Sequence, residues 1–196
     1  MKARCFYAAT AFILSTVLHC QMSKIIETER LILREFNDSD AISIYELNSD
    51  PEVIRYTGDL PFPSVSDAEN FLKNYSDYQR NGFGRWAAIS KDTEHFLGWC
   101  GLKLNEENFI DIGFRFFRKE WGKGYATESA KASLEFGFNH LKLDEIIGRA
   151  SRENKPSIRV LEKLNMNFFK FDNGEGIENF VYYKLNKTQY NTVNRN

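Results

Sequence analysis

Residues 111–129 read DIGFRFFRKEWGKGYATES, and the second half of this stretch decides how the chain is read. Gly122 and Gly124 flank Lys123, and the residues that follow, from Tyr125 onward, are good helix formers. The most flexible residues thus stand where a helix begins. A helix's first turn leaves backbone N–H groups without intrahelical partners. The aligned peptide dipoles place roughly half a positive charge there. A phosphate fits such a site if no side chain keeps it from the backbone. Gly122 and Gly124 remove those side chains, and Lys123 adds positive charge. The alternative is a glycine turn that only redirects the chain. Neither standard phosphate fingerprint matches. The dinucleotide pattern needs a third glycine where Thr127 stands, and the P-loop needs Ser or Thr after a Gly-Lys pair, whereas Gly124 is followed by Tyr125. The pattern therefore gives an anion site without naming its ligand.

Working outward, Phe109–Phe117 reads as a strand, preceded by strand candidates Arg85–Ser90 and Phe96–Lys103, with polar turns between them. Behind the glycines, Ala126, Ala130, Leu134 and Phe138 fall four apart on one face of a long helix reaching about Leu141. A strand over Asp144–Ser151 leads through RENKPS into a helix ending near Leu164, and MNFFKFD and NFVYYKL form a closing hairpin. Towards the amino end, Thr28–Phe36 reads as the first strand. Asn37–Asp40 supplies caps for a helix to about Leu47. The proline-bearing stretch after it is a loop, and Ser66–Arg80 is a second helix. The tail from Asn186 is polar and frayed. Hairpin strands followed by one strand–helix–strand–helix unit predict an α+β domain with a mixed, mostly antiparallel sheet.

The chain has 196 residues, a length suited to one domain. Lys plus Arg number 26 and Asp plus Glu 27, a net charge of -1 that gives no footprint for nucleic acid. Aromatic content is 15%, read as a Phe-rich core. Of three cysteines, Cys5, Cys20 and Cys100, two lie in the first twenty residues, so the body cannot build a disulfide framework. His19, His95 and His140 are scattered, and no metal site is expected.

Residues 1–22 have Lys2 and Arg4 before an apolar run from Phe6 to Leu18, the layout of a signal peptide. The other reading makes Met22 the true start, because MSKIIETERLILREF begins naturally. Either way they form a leader outside the fold.

Four pieces in order carry a resemblance: ETERLILREF, DIGFRFFRKEWGKGYATES, NKPSIRVLEKLNM and ENFVYYKL. Together they resemble the GNAT superfamily of acetyl-CoA-dependent N-acetyltransferases, and more narrowly its RimJ/RimL-like branch, over about residues 24–186. The resemblance implies a GNAT-like central sheet, splayed between two parallel strands and flanked by helices. Residues 23–187 would form a single N-acetyltransferase domain, followed by a flexible tail, 188–196. The coenzyme's diphosphate would sit on the backbone amides of Gly122, Lys123, Gly124, Tyr125, Ala126 and Thr127. Its arm would pair with the strand end at Phe114, Arg115 and Phe116, facing Asn154 and Ser157, although Asn154 also reads as a plain helix cap. Trp121 stands where the family usually has Gln or Arg. Leu161 replaces the Tyr that many members use to protonate the leaving thiolate, a role left to Ser157 or a water.

The resemblance makes acetyl-CoA the co-substrate and an amine the acceptor. The acceptor is a protein N-terminal α-amine or a small amine such as a polyamine, amino sugar or antibiotic. A non-catalytic acetyl-CoA sensor is the third reading. Asp111 is the first candidate base and Glu178 the second. Asp59, Asp67, Glu69, Asp172, Glu175 and Glu178 would give the acceptor mouth an acidic character suited to a cation. Because acetyl-CoA is an intracellular metabolite, a cytoplasmic location is expected, with no membrane association if Met22 is the start. The protein would act as a monomer or homodimer.

Overall fold

The computed structural model describes residues 24–172 and 179–193. Eight strands form one sheet: β1 Lys24–Glu27, β2 Leu31–Arg34, β3 Arg85–Ser90, β4 Phe96–Leu104, β5 Ile110–Phe116, β6 Glu145–Ser151, β7 Asn167–Asp172 and β8 Phe180–Asn186. Their spatial order is β1-β2-β3-β4-β5-β6-β8-β7. Every neighbouring pair is antiparallel except β5 and β6. The helices are α1 Ala41–Ser49, α2 Pro51–Ile54, α3 Val65–Lys73, α4 Asp77–Asn81, α5 Tyr125–Asn139, α6 Lys155–Lys163 and α7 Lys187–Val193.

The mixed α+β architecture is the one the sequence predicts. Four details differ. The first strand is a hairpin, β1–β2, because Thr28 hydrogen-bonds back to Leu31 and turns the chain. The proline loop contains a helical turn, α2, started by Asp50, whose carboxylate accepts the Glu52 N–H, and by Pro51 at its first position. The second helix is broken: α3 ends at Lys73 and α4 starts at Asp77. The carboxyl-terminal residues 187–193 form α7, whose Tyr190 stacks on Phe138 at 4.7 Å.

Strand alternation sends side chains to two faces. One face carries α5. Ala130, Leu134 and Phe138 are buried there, beside Ser129, Ser133 and Gly137. The small residues let the helix lie close: a Cβ on Gly137 would stand 2.7 Å from Ile146 Cδ1. The thiol of Cys100 is buried on this face, 3.7 Å from Ser133 Oγ, and burial pushes its pKa up, so it stays a neutral thiol. The other face carries α1 and α3, with Trp99 packed against Ala41, Ile44, Ala68 and Leu72.

Candidate active site

The parallel strands β5 and β6 pair only at Asp111–Ile147 and Ile112–Gly148. Beyond Ile112 they part. From Gly113 to Phe116, β5 keeps β4 on one side and, among the described residues, has no strand on the other. Among these residues β6 likewise continues to Ser151 bonded to β8 alone. The result is an open cleft with main-chain edges as walls. Leu161 of α6 sits at its closed end, fully buried, and a Cβ on Gly148 would lie 2.5 Å from it. Leu161 is therefore a packing residue and brings no proton donor.

The glycine loop lies at the cleft mouth, between β5 and α5. Gly122 has φ 76° and Gly124 φ 88°, the left-handed region that favours glycine. A Cβ on Gly122 would meet nothing within 4 Å, so the backbone there is open to a ligand. Gly124 caps α5 with no side-chain hydrogen bond to its first turn. The amides of Tyr125, Ala126 and Thr127 open the helix, as the anion reading requires. The two explanations of the glycines therefore coincide: positive φ demands them, and their missing side chains leave the donors bare.

Two cations stand at the loop. Lys123 Nζ is 2.9 Å from Glu120 Oε2, with its own side chain half exposed. Arg30 is held behind the loop. Its Nη1 donates to the Lys123 carbonyl at 3.0 Å, and its guanidinium lies 4.6 Å over the Tyr125 ring. A Cβ on Gly124 would come within 3.3 Å of Arg30 Nη2. Arg30 also pairs with Glu128 in the first turn of α5, through Nε at 2.7 Å and Nη2 at 2.6 Å. Thr28 Oγ1 and the Arg30 N–H donate to the same carboxylate, at 2.6 and 2.9 Å. Burial alone would raise the Glu128 pKa, but these hydrogen bonds and the guanidinium charge outweigh it and hold it below the usual range. Sequence reasoning missed Arg30 and Glu128. The signal was a carboxylate one turn into a helix whose start was assigned to an anion, which demands a compensating cation.

The other predicted residues divide clearly. Phe114, Arg115 and Phe116 form the free edge of β5. The Phe116 carbonyl accepts from Trp121 Nε1 at 2.9 Å, so Trp121 braces the strand end against the loop. Asn154 Oδ1 accepts the Ser157 N–H at 3.2 Å and starts α6 directly after β6. Both residues are half-buried. Asp111 lies on the α1–α3 face, where Arg85 Nη2 holds both its oxygens, at 3.0 and 2.9 Å. Gly113 makes room for this pair, since a Cβ there would lie 2.6 Å from Arg85 Cζ. Asp59 of the expected acidic mouth is paired with Arg115, while Asp67 accepts from Ser64 Oγ at 2.6 Å, a neutral donor that leaves its charge in place. Glu175 and Glu178, like the leader and Met22, lie outside the described residues, and so does the Asp172 side chain. Among the described residues no helix is long and apolar enough to cross a membrane.

Residues 30–167 match the family described as Acetyltransferase (GNAT) domain. The chain belongs to the GNAT acetyltransferases. Among similar proteins, the "Uncharacterized N-acetyltransferase p20" of Bacillus licheniformis is 36% identical over 141 residues, 70% of this chain and 79% of that protein. A GNAT-family acetyltransferase of known structure from Bacillus anthracis is 30% identical with a TM-score of 0.72, covering 83% of this chain and 98% of its own. A spermidine N-acetyltransferase from Vibrio cholerae, solved with CoA and spermine, shares the fold at 18% identity and a TM-score of 0.70, over 82% of this chain and 97% of its own. The chain is an N-acetyltransferase.

Proposed function

We propose that this GNAT enzyme transfers the acetyl group of acetyl-CoA to a primary amine, and that it belongs to the RimJ/RimL-like branch. The observation that carries the reading is the cleft beyond Ile112, with an uncapped helix start and two left-handed glycines at its mouth. The backbone from Gly122 to Thr127 would hold the diphosphate by its N–H groups. The free edge of β5 at Phe114, Arg115 and Phe116 would hold the arm as an added strand. Asn154 and Ser157 would face it from the start of α6. When bound, acetyl-CoA supplies an activated acetyl thioester.

The chain's own task is to bring the amine and the thioester together and to handle protons. A lysine-type amine has a pKa of about 10.4 and an α-amine about 7.7–8.0, so an α-amine needs little help to be neutral. Asp111 is proposed as an electrostatic anchor acting through Arg85 and water, because both of its oxygens are occupied. Glu178 remains the second acidic residue proposed for proton removal. Ser157 Oγ is proposed to donate to the leaving sulfur, since Leu161 cannot. Positioning then contributes most of the acceleration.

The acceptor is read first as a protein N-terminal α-amine. The small-amine reading is favoured by one observation: the Vibrio cholerae neighbour with this fold acts on spermidine. A cytoplasmic location is proposed, where acetyl-CoA is available. Release of free CoA from acetyl-CoA with peptides and small amines tests the reading. Turnover with an amine is expected. Tight coenzyme binding without turnover of any amine would make the chain a sensor.

A further inference from the structure

The α1–α3 face of the sheet carries a row of side chains that coenzyme binding does not use. Trp99 pairs across β4–β5 with Arg115. Its ring lies 5.5 Å from Arg85 Cζ and 5.3 Å from Arg115 Cζ. In a strand, side chains stand perpendicular to the direction of backbone pairing. The main chain of Arg115 can therefore line the cleft while its guanidinium lies on the α1–α3 face.

Arg34, Arg85 and Arg115 lie on this face, and the first two meet carboxylates that are themselves nearly buried. Arg34 meets Asp40 through two bonds of 2.7 Å, with side chains 7% and 4% exposed. Arg85 meets Asp111 with side chains 13% and 12% exposed. Arg115 is different. Its side chain is 9% exposed, but its carboxylate partner, Asp59, is 51% exposed and comes from the connection between α2 and α3. One terminal nitrogen donates to Asn48 Oδ1 and the other to Asp59. Its Nε, like that of Arg34, is buried and has no hydrogen-bond partner among the described residues, so what sets Arg115 apart is the exposure of its carboxylate partner.

A buried guanidinium without a counterion is strongly destabilising, so a carboxylate must be present. Nothing requires that carboxylate to be Asp59. A half-exposed partner on a loop is held weakly. The Nε and Nη atoms of arginine form a fork that fits both oxygens of one carboxylate. Asp59 meets one terminal nitrogen and leaves Nε unused.

We propose that Arg115 is the carboxylate-recognition group of the acceptor site, with Asp59 as an internal stand-in that the acceptor displaces. The inference rests on the acetyl-transfer reading, sets aside a protein N-terminal α-amine as its acceptor, and narrows the small-amine alternative to amines that carry a carboxylate, the amino-acid class. Trp99 supplies the flat wall beside that carboxylate. A polyamine would place positive charge against two buried guanidiniums and is disfavoured.

The test compares α-, β- and γ-amino acids with their carboxamides and with spermidine, by CoA release from acetyl-CoA. The best amino acid should exceed its carboxamide by about tenfold or more in kcat/KM, the scale of a charge-assisted bidentate contact. Arg115→Gln should bring that ratio close to one. Asp59→Asn should lower KM for the amino acid. A second readout needs no turnover: Asp59→Asn should lower the melting temperature, and the amino acid should restore it where the carboxamide does not. Equal rates for acid and amide overturn the proposal, as does preference for spermidine or an Asp59→Asn melting temperature indifferent to the amino acid. Absence of CoA release with every amine tested, alongside recovery by the amino acid, would refute the transfer reading and leave the carboxylate site standing.

Discussion

Gly124 shows how one residue serves two requirements. Its φ of 88° excludes a side chain on conformational grounds, and a Cβ would press on Arg30 Nη2. Gly124→Ala should therefore destabilise the fold by about 1–2 kcal/mol, the cost of a left-handed non-glycine residue, measured by denaturant midpoint. Asp111 makes a sharper case. Removing it by Asp111→Ala strands a nearly buried Arg85, a loss of about 3–5 kcal/mol by analogy with broken buried pairs. In Asp111→Asn any remaining turnover should keep the acid limb of its pH profile. Disappearance of that limb would make Asp111 the direct base after all. The roles of Arg85 and Asp111 could not be read along the chain, because they lie 26 positions apart and meet only through the notch at Gly113.

The start of α5 depends on an element far away in sequence. Thr28 and Arg30, at the β1–β2 turn, hold Glu128 about a hundred residues later. Without them Glu128 would set a negative charge beside the site proposed for a diphosphate. The folded-state pKa of Glu128 is depressed. Its contribution is thus complete above the ordinary carboxylate value, about 4.3, and is lost as pH falls through the lower folded value. Urea midpoints measured from pH 6 down to pH 3 should fall more steeply for the wild type than for Glu128→Gln. Parallel curves would contradict the assignment. Elements with a strong local pattern were legible: α5 from Ala126, Ala130, Leu134 and Phe138, and the hairpin strands from their β-branched and aromatic runs. Short or interrupted elements were not. The break between α3 and α4 is imposed by tertiary contacts, since the Tyr75 and Tyr78 hydroxyls both bond the backbone of Arg85. Helix α7 forms from polar residues because Tyr190 finds Phe138, a contact no local pattern contains. The left-handed glycines before α5 were legible in the sequence, whereas Arg30, which reaches the same loop from the β1–β2 turn, was not, because nothing local in the sequence joins it to Lys123.

At the scale of the whole molecule, the sheet is continuous except where β5 and β6 part, and that opening gives an otherwise ordinary mixed sheet its cleft. Ligand binding there should stabilise the entire fold. Acetyl-CoA at a hundred times its dissociation constant adds about 2.7 kcal/mol, which for a chain of this size raises the melting temperature by about 5–10 °C. The most direct measurement is calorimetric titration of acetyl-CoA into the wild type and into a Gly122→Val, Gly124→Val double variant whose circular dichroism remains that of the folded protein. If bare amides at the mouth of α5 grip the coenzyme, the variant should lose at least about tenfold in affinity, or ~1.4 kcal/mol. An unchanged dissociation constant would place the coenzyme elsewhere.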